Sequence, residues 1–295
     1  MVPLLAPLNT VVQVAASPLV CVSGVTQMAH FLEIEHVSKT FGANGAAGIH
    51  VIDDISMQVE EGEVVVYLGP SGCGKSTLMR MVGGLEAVTS GRIILEGKEV
   101  RGPDRQKGMV FQSYSSFPWL KVLDNVRFGL KFRTDIDITE KDRIARHYLQ
   151  MVGLGEFEDY WVNRISGGMR QRVAIARTFA AGPDILLMDE PFGALDAQNR
   201  EFLQLQLRDL CLKERKTVIF VTHDVEEAVF LADRIFVFSA RPAKILEEIA
   251  IRELLPPTRD LKLRESETFF KLRNRILGLT RTQALRSEQI EVRGP

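Results

Sequence analysis

The sequence predicts an α/β fold, in which a doubly wound, mostly parallel core sheet carries a small antiparallel β subdomain and an inserted α-helical subdomain. Three observations predict it. Continuous apolar runs at 63–69, 185–189, 217–222 and 234–238 are what strands buried on both faces of a parallel sheet require, and helical stretches separate them. From Phe31 to Val37, and again around 49–52 and 55–59, apolar and polar residues alternate about a glycine-rich gap at 42–48, the pattern of a small antiparallel sheet. Between about 113 and 168 the rhythm gives way to helical segments such as 139–152, for which Thr139-x-x-Asp142 is the expected N-terminal start, with Asp in place of Glu or Gln.

After Ser239 the pattern weakens, Pro256-Pro257 marks a linker, and residues 266–280 read as one amphipathic helix followed by a frayed last dozen. At the other end, residues 1–28 are apolar, are broken by Pro3, Pro7 and Pro18, and lack the basic start of a secretory signal, since the first basic residue is Lys39. They read as a flexible extension, or as sequence upstream of a natural start at Met28. No apolar run approaches the roughly 20 residues that a membrane-spanning helix needs.

Over 295 residues the 37 Lys and Arg offset 38 Asp and Glu, leaving a formal charge of -1, so no basic field is available to hold nucleic acid by counterion release. Cys21, Cys73 and Cys211 are widely spaced and form no C-x-x-C pair, which argues against zinc or a disulfide framework and for a reducing compartment.

The chemistry concentrates at four places. Gly69-Pro70-Ser71-Gly72-Cys73-Gly74-Lys75-Ser76 matches G-x-x-x-x-G-K-[ST] between a buried strand and a helical run, where glycines let backbone N–H groups turn on phosphate oxygens and the helix adds its positive end. There Lys75 would reach the β- and γ-phosphates, and the Ser76 hydroxyl would ligate Mg²⁺. Cys73, among inward-facing amides, is expected to react with alkylating reagents and to be protected by ATP. Asp189 ends an apolar strand, where a carboxylate can emerge beside that loop and hold Mg²⁺ through water, and Glu190 next to it can orient or deprotonate an attacking water. His223 ends the strand 217–222 and is expected at the same sheet edge. Finally, Ser166-Gly167-Gly168-Met169 opens an amphipathic helix and forms a second phosphate-grade helix N-terminus.

Taken together these motifs resemble the nucleotide-binding subunits of ABC transporters over about residues 31–245, and the resemblance implies a P-loop NTPase (RecA-like) core. It implies a nucleotide-binding domain over 29–245, with 246–295 as a C-terminal linker and helical extension. It further implies that Phe41 stacks on adenine, that Gly69 to Thr77 bind ATP, and that Gln112 contacts Mg²⁺ together with Ser76 and Asp189. Ser166, Gly167, Gly168 and Met169 would contact the ATP of the opposite subunit, Asp196 would be the D-loop residue, and Glu190, His223, Gln112 and Lys75 would serve hydrolysis. The signature departs from Leu-Ser-Gly-Gly-Gln at Ile165 and Met169; the serine and glycines that face phosphate remain.

The implied partners are a second copy in a head-to-tail dimer, membrane permease subunits at the cytoplasmic face of the cell membrane and, indirectly, a solute-binding protein. Phe117-Pro-Trp-Leu120, Ser-Gly-Gly-Met-Arg-Gln-Arg172 and Ser239-Ala-Arg-Pro-Ala-Lys-Ile245 look like the nitrate, sulfonate and taurine import family. Phe117 and Trp119 read equally as a permease-facing surface or as subdomain core. Export or lipoprotein-release ATPases, and soluble non-transport ATPases of the same family, share this chemistry; the single cassette and the short insert count against the soluble ones.

Overall fold

The computed structural model describes residues 30–42, 48–112, 116–193 and 195–293, so the expected N-terminal extension lies outside the described residues. In chain order, β1 (Leu32–Phe41), β2 (Ile49–Val59) and β3 (Val64–Leu68) lead into α1 (Lys75–Val82). Three strands follow, β4 (Ser90–Leu95), β5 (Lys98–Glu99) and β6 (Lys107–Val110), then the helices α2 (Val122–Phe128), α3 (Ile138–Met151) and α4 (Gly167–Ala180). From there β7 (Ile185–Asp189), α5 (Ala197–Glu214), β8 (Thr217–Thr222), α6 (Val225–Leu231), β9 (Arg234–Phe238) and β10 (Ile245–Ala250) alternate, and α7 (Glu267–Arg293) closes the chain.

The strands form two sheets. One is antiparallel in the order β2-β1-β4-β5; the other runs β10-β9-β3-β8-β7-β6, parallel except for β10, which pairs antiparallel with β9. The apolar runs have their cause in this sandwich. On β3, Val64, Val66 and Leu68 join the core beneath the helices, while Val65 and Tyr67 join the core beneath α1 and the antiparallel sheet. A strand covered on both faces has no position at which a polar side chain would be wet.

Three local expectations change. The helix expected from Thr139 starts at Ile138, and its cap is Asp137, whose carboxylate accepts from Glu140 N at 2.8 Å. The capping sequence is thus Asp137-x-x-Glu140, two residues ahead of Thr139-x-x-Asp142. Past the expected boundary at 245/246, β10 belongs to the core sheet, which its alternating exposure as an edge strand disguised. The C-terminal helix runs on to Arg293 instead of ending near 280, and Phe269, Leu272 and Ile276 seat it in the main core.

Candidate nucleotide-binding and hydrolytic site

Chain direction in a parallel sheet brings the carboxyl ends of β3, β7 and β8 to one edge, and each end delivers a residue singled out in the sequence. β3 runs into the glycine-rich loop. Its last glycine, Gly74, has φ 127°, and a Cβ there would lie 3.1–3.2 Å from Val51 and Ile52 of β2. Only glycine allows both that backbone conformation and that approach. No side chain caps α1 at Gly74, so the first amides of the helix stay directed at the loop. Lys75 is buried, and its Nζ donates to the carbonyls of Gly69 (2.8 Å) and Pro70 (2.7 Å), a satisfied cation folded back over the loop that it would leave to meet phosphate. Cys73 is also buried, with Sγ 3.8 Å from Lys75 Nζ, so access works against the alkylation expected from its position.

β7 supplies the carboxylates. Asp189 is buried at the strand end and accepts from Ser76 Oγ at 2.7 Å, tying the start of α1 to the neighbouring core strand. Glu190 follows in a left-handed conformation, φ 44°, held by its own amide, which donates to Val221 O at 3.0 Å, and by its carbonyl, which accepts from Gly193 N at 3.2 Å. A side chain in that region costs about 1–2 kcal/mol, and the return is orientation. Glu190 Oε1 lies 3.0 Å from His223 Nδ1 at the end of β8, and Oε2 accepts from Gln112 Nε2 at 3.3 Å. Gln112 comes from the segment after β6, whose backbone is steadied by Gln171 of α4 donating to Phe111 O at 3.3 Å.

The structure therefore brings Lys75, Ser76, Asp189, Glu190, Gln112 and His223 into one connected cluster. Phe41 sits at the end of β1, paired with Ile49 on the strand that packs against Gly74; its ring is part-exposed, with Lys39 Nζ 4.7 Å from the centroid. The described contacts do not join Ser166 to Met169 to this cluster. Ser166 caps α4, accepting from Met169 N at 3.2 Å, and Gly168 packs so tightly on Leu195 that a Cβ would lie 2.6 Å from its side chain. Asp196 caps α5 through Asn199 N (3.0 Å) and Asn199 Nδ2 (2.7 Å), bonds that hold its carboxyl below the usual range.

The donors suit a magnesium ion held with a substrate's phosphates. Ser76 Oγ and the Asp189 carboxylate are adjacent oxygens, and Gln112, whose amide nitrogen donates to Glu190, has an amide oxygen of the kind the ion takes; Mg²⁺ prefers such ligands and needs only one or two carboxylates when phosphate completes its shell. Among the described residues no cluster of three or more His, Cys, Asp or Glu offers an all-protein metal cage.

Sequence reasoning missed Glu227 and Arg200, which line a pocket together with Glu190 and His223, and Gln204, which donates to Glu227 at 2.9 Å. Glu227 is four residues after His223, but within a seven-residue helix its burial leaves only a faint periodic signal.

Comparison with known proteins places these features in a lineage. The family described as ABC transporter matches residues 52–193. An uncharacterized ABC transporter ATP-binding protein of Methanocaldococcus jannaschii is 47% identical over 87% of this chain and 93% of its own length. A nitrate import ATP-binding protein of Synechocystis is 44% identical over 85% of this chain and 95% of its own, and a taurine import ATP-binding protein of Rhizobium johnstonii is 41% identical over 87% and 99%. Among solved structures, a dimeric ATP-binding cassette in a post-hydrolysis state with ADP and phosphate superposes with a TM-score of 0.68 at 33% identity, covering 75% of this chain and 99% of that one. With identity of this order over more than four fifths of the chain, the chain belongs to the ABC transporter ATP-binding family, and is an ATP hydrolase on a P-loop NTPase fold.

Proposed function

We propose that this subunit hydrolyses ATP to energise import of a small anionic solute, nitrate-, sulfonate- or taurine-like, through membrane permease subunits at the cytoplasmic face of the cell membrane. The observation that carries the mechanism is the pairing of Glu190 with both His223 and Gln112 at the edge where Lys75, Ser76 and Asp189 converge. The nitrate and taurine relatives support the direction and the class of cargo.

In this reading Phe41 stacks on adenine, and the amides of Gly69 to Thr77 cradle the phosphates while Lys75 exchanges its two loop carbonyls for phosphate oxygens. Ser76, Asp189 and Gln112 would hold Mg²⁺, which would supply positive charge against the phosphates. Glu190 orients the attacking water and accepts its proton; His223 fixes the carboxylate through Oε1, and Gln112 through Oε2. A second copy, head to tail, completes each site with Ser166, Gly167, Gly168 and Met169, its Asp196 lying near the junction. Of the two aromatics that could face a permease, Trp119 is 68% exposed while Phe117 is wedged between Trp119 and Phe128, its ring 4.8 Å from the Arg177 guanidinium. That division favours Trp119 as the docking residue and Phe117 as its support.

Two measurements test the reading. Glu190→Gln should bind ATP, trap a dimer and lose about 10²–10³-fold in turnover; turnover within threefold of the unmutated protein would remove Glu190 from the chemistry. Co-purification with a membrane permease subunit, followed by a ligand screen on a solute-binding protein that associates with it, tests import and cargo, and Trp119→Ala should spare ATPase activity in solution while uncoupling transport.

A further inference from the structure

A cavity of about 80 Å³ adjoins the hydrolytic pair, lined by Glu190, Arg200, Thr222, His223, Asp224 and Glu227. It has room for a few water molecules. Two of its walls are chemically unusual. Arg200 Nε is buried without an acceptor among the described residues, although the same guanidinium donates to Leu195 O at 3.0 Å. Glu227 is a carboxyl 5% exposed, and the roles proposed above leave it unused.

What Glu227 does touch leads out of the core. Its Oε1 accepts from Gln204 Nε2 of α5 at 2.9 Å, and Gln204, itself buried, accepts through its Oε1 from Arg264 of the C-terminal segment. Arg264 is held there by the Phe230 ring, 4.7 Å from the guanidinium, and by Glu201 (3.5 Å) and Glu226 (4.0 Å); Arg273 of α7 secures Glu226 at 2.7 Å. An unbroken path thus runs from the C-terminal segment, through one arginine and one glutamine, to a carboxyl on the wall of the cavity that Glu190 shares.

We propose that Glu227 is a positioning residue for ATP hydrolysis and that the C-terminal segment sets it through Arg264 and Gln204, so that this segment tunes turnover. The inference rests on the roles of Glu190 and His223 proposed above. Its physical basis is the field of a charge that is itself buried beside the small pocket it shares with Glu190. An ionised Glu227 puts a negative charge beside the group that accepts the water's proton and strengthens its pull; a neutral Glu227 does not. Burial pushes this carboxyl up to about 7, Thr222 and Gln204 oppose the shift by hydrogen bonding, Asp224 adds to it and Arg200 counters it. The groups facing Glu227 are therefore Asp224 at the cap of its own helix, Glu190 and His223 from the ends of β7 and β8, Arg200 and Gln204 from α5, and Arg264 behind Gln204. Removing Arg264 leaves Gln204 a weaker donor, which makes the ionised form harder to reach.

The test is steady-state ATP hydrolysis by the full chain with Mg²⁺ between pH 6 and 8.5, for the unmutated protein, Glu227→Gln, Arg264→Ala and Arg264→Lys. The unmutated kcat is expected to rise about threefold or more through neutrality, a range typical of a titrating group near the reaction. Glu227→Gln should flatten that rise while KM for ATP stays within about twofold, a split that general loosening of the fold would not produce. Arg264→Ala should move the midpoint of the rise to higher pH, and Arg264→Lys should return it; these variants, remote from the core sheet, keep the test decisive if Glu227→Gln fails to fold. A Glu227→Gln protein that keeps the unmutated profile, or an Arg264→Ala protein whose midpoint does not move, overturns the inference while the proposed hydrolytic site stands. An inactive unmutated protein overturns both.

Discussion

The N-termini of α1 and α4 begin from similar glycine-rich turns and end up as different devices. At α1 no side chain caps the helix, the adjoining cation is folded onto the loop, and the carboxylate of Asp189 meets the second residue of the helix. At α4 the helix is capped by its own Ser166, and the described contacts join it to no carboxylate of the hydrolytic cluster. The first end carries the groups that phosphate transfer needs. The second offers amides and a hydroxyl but nothing to attack with, which is what half of a shared site would look like. Position in the fold accounts for the difference, because α1 grows from the middle of the core sheet, next to β7 and β8, whereas α4 starts in the helical subdomain.

The comparison breaks most visibly through complementation. Lys75→Ala and Ser166→Arg should each cost about 10²–10³-fold in ATP turnover, one by removing charge from the phosphates and the other by blocking the partner's site. Mixed in equal amounts, the two inactive proteins should regain about a quarter of unmutated activity, since half of the dimers are mixed and each mixed dimer has one intact site. A mixture as inactive as its components would show that each chain uses its own α4 end, and the shared-site reading would be lost. Gly74→Ala sharpens the account of α1: with φ at 127° and Val51 at 3.1 Å, the loop must shift, so nucleotide affinity should fall about tenfold or more, as measured by titration with a fluorescent ATP analogue.

The smallest effect separates capping from function. Ser166→Ala and Asp137→Ala each remove one side-chain cap and should each lower stability by about 1 kcal/mol in denaturant titrations. Only Ser166→Ala should also lower turnover. Thr139→Ala should leave stability within about 0.5 kcal/mol, because the structure caps α3 with Asp137 instead.

How far the sequence could be read depends on how local each feature is. β3, β7, β8 and β9 were legible because burial on both faces leaves an unbroken apolar run, and the phosphate loop because its chemistry needs fixed spacing over eight residues. β6 and β10 sit at the two edges of the core sheet with half-wet patterns, and neither announces itself as a strand. Lys75, Ser76, Asp189, Glu190 and His223 could each be found at a strand end or helix start. The Arg264–Gln204–Glu227 path could not, because it joins three elements far apart in the chain and each residue alone reads as an ordinary solvated side chain.

Glu190 carries a last consequence. Its backbone is left-handed without being glycine, and relaxing that conformation needs only a glycine or asparagine. A library of this protein screened for heat resistance alone should therefore enrich such replacements at position 190, and its hardiest members should be the ones least able to split ATP. Stability and work pull in opposite directions at this one residue, so any improvement of the protein has to be selected while it is turning over.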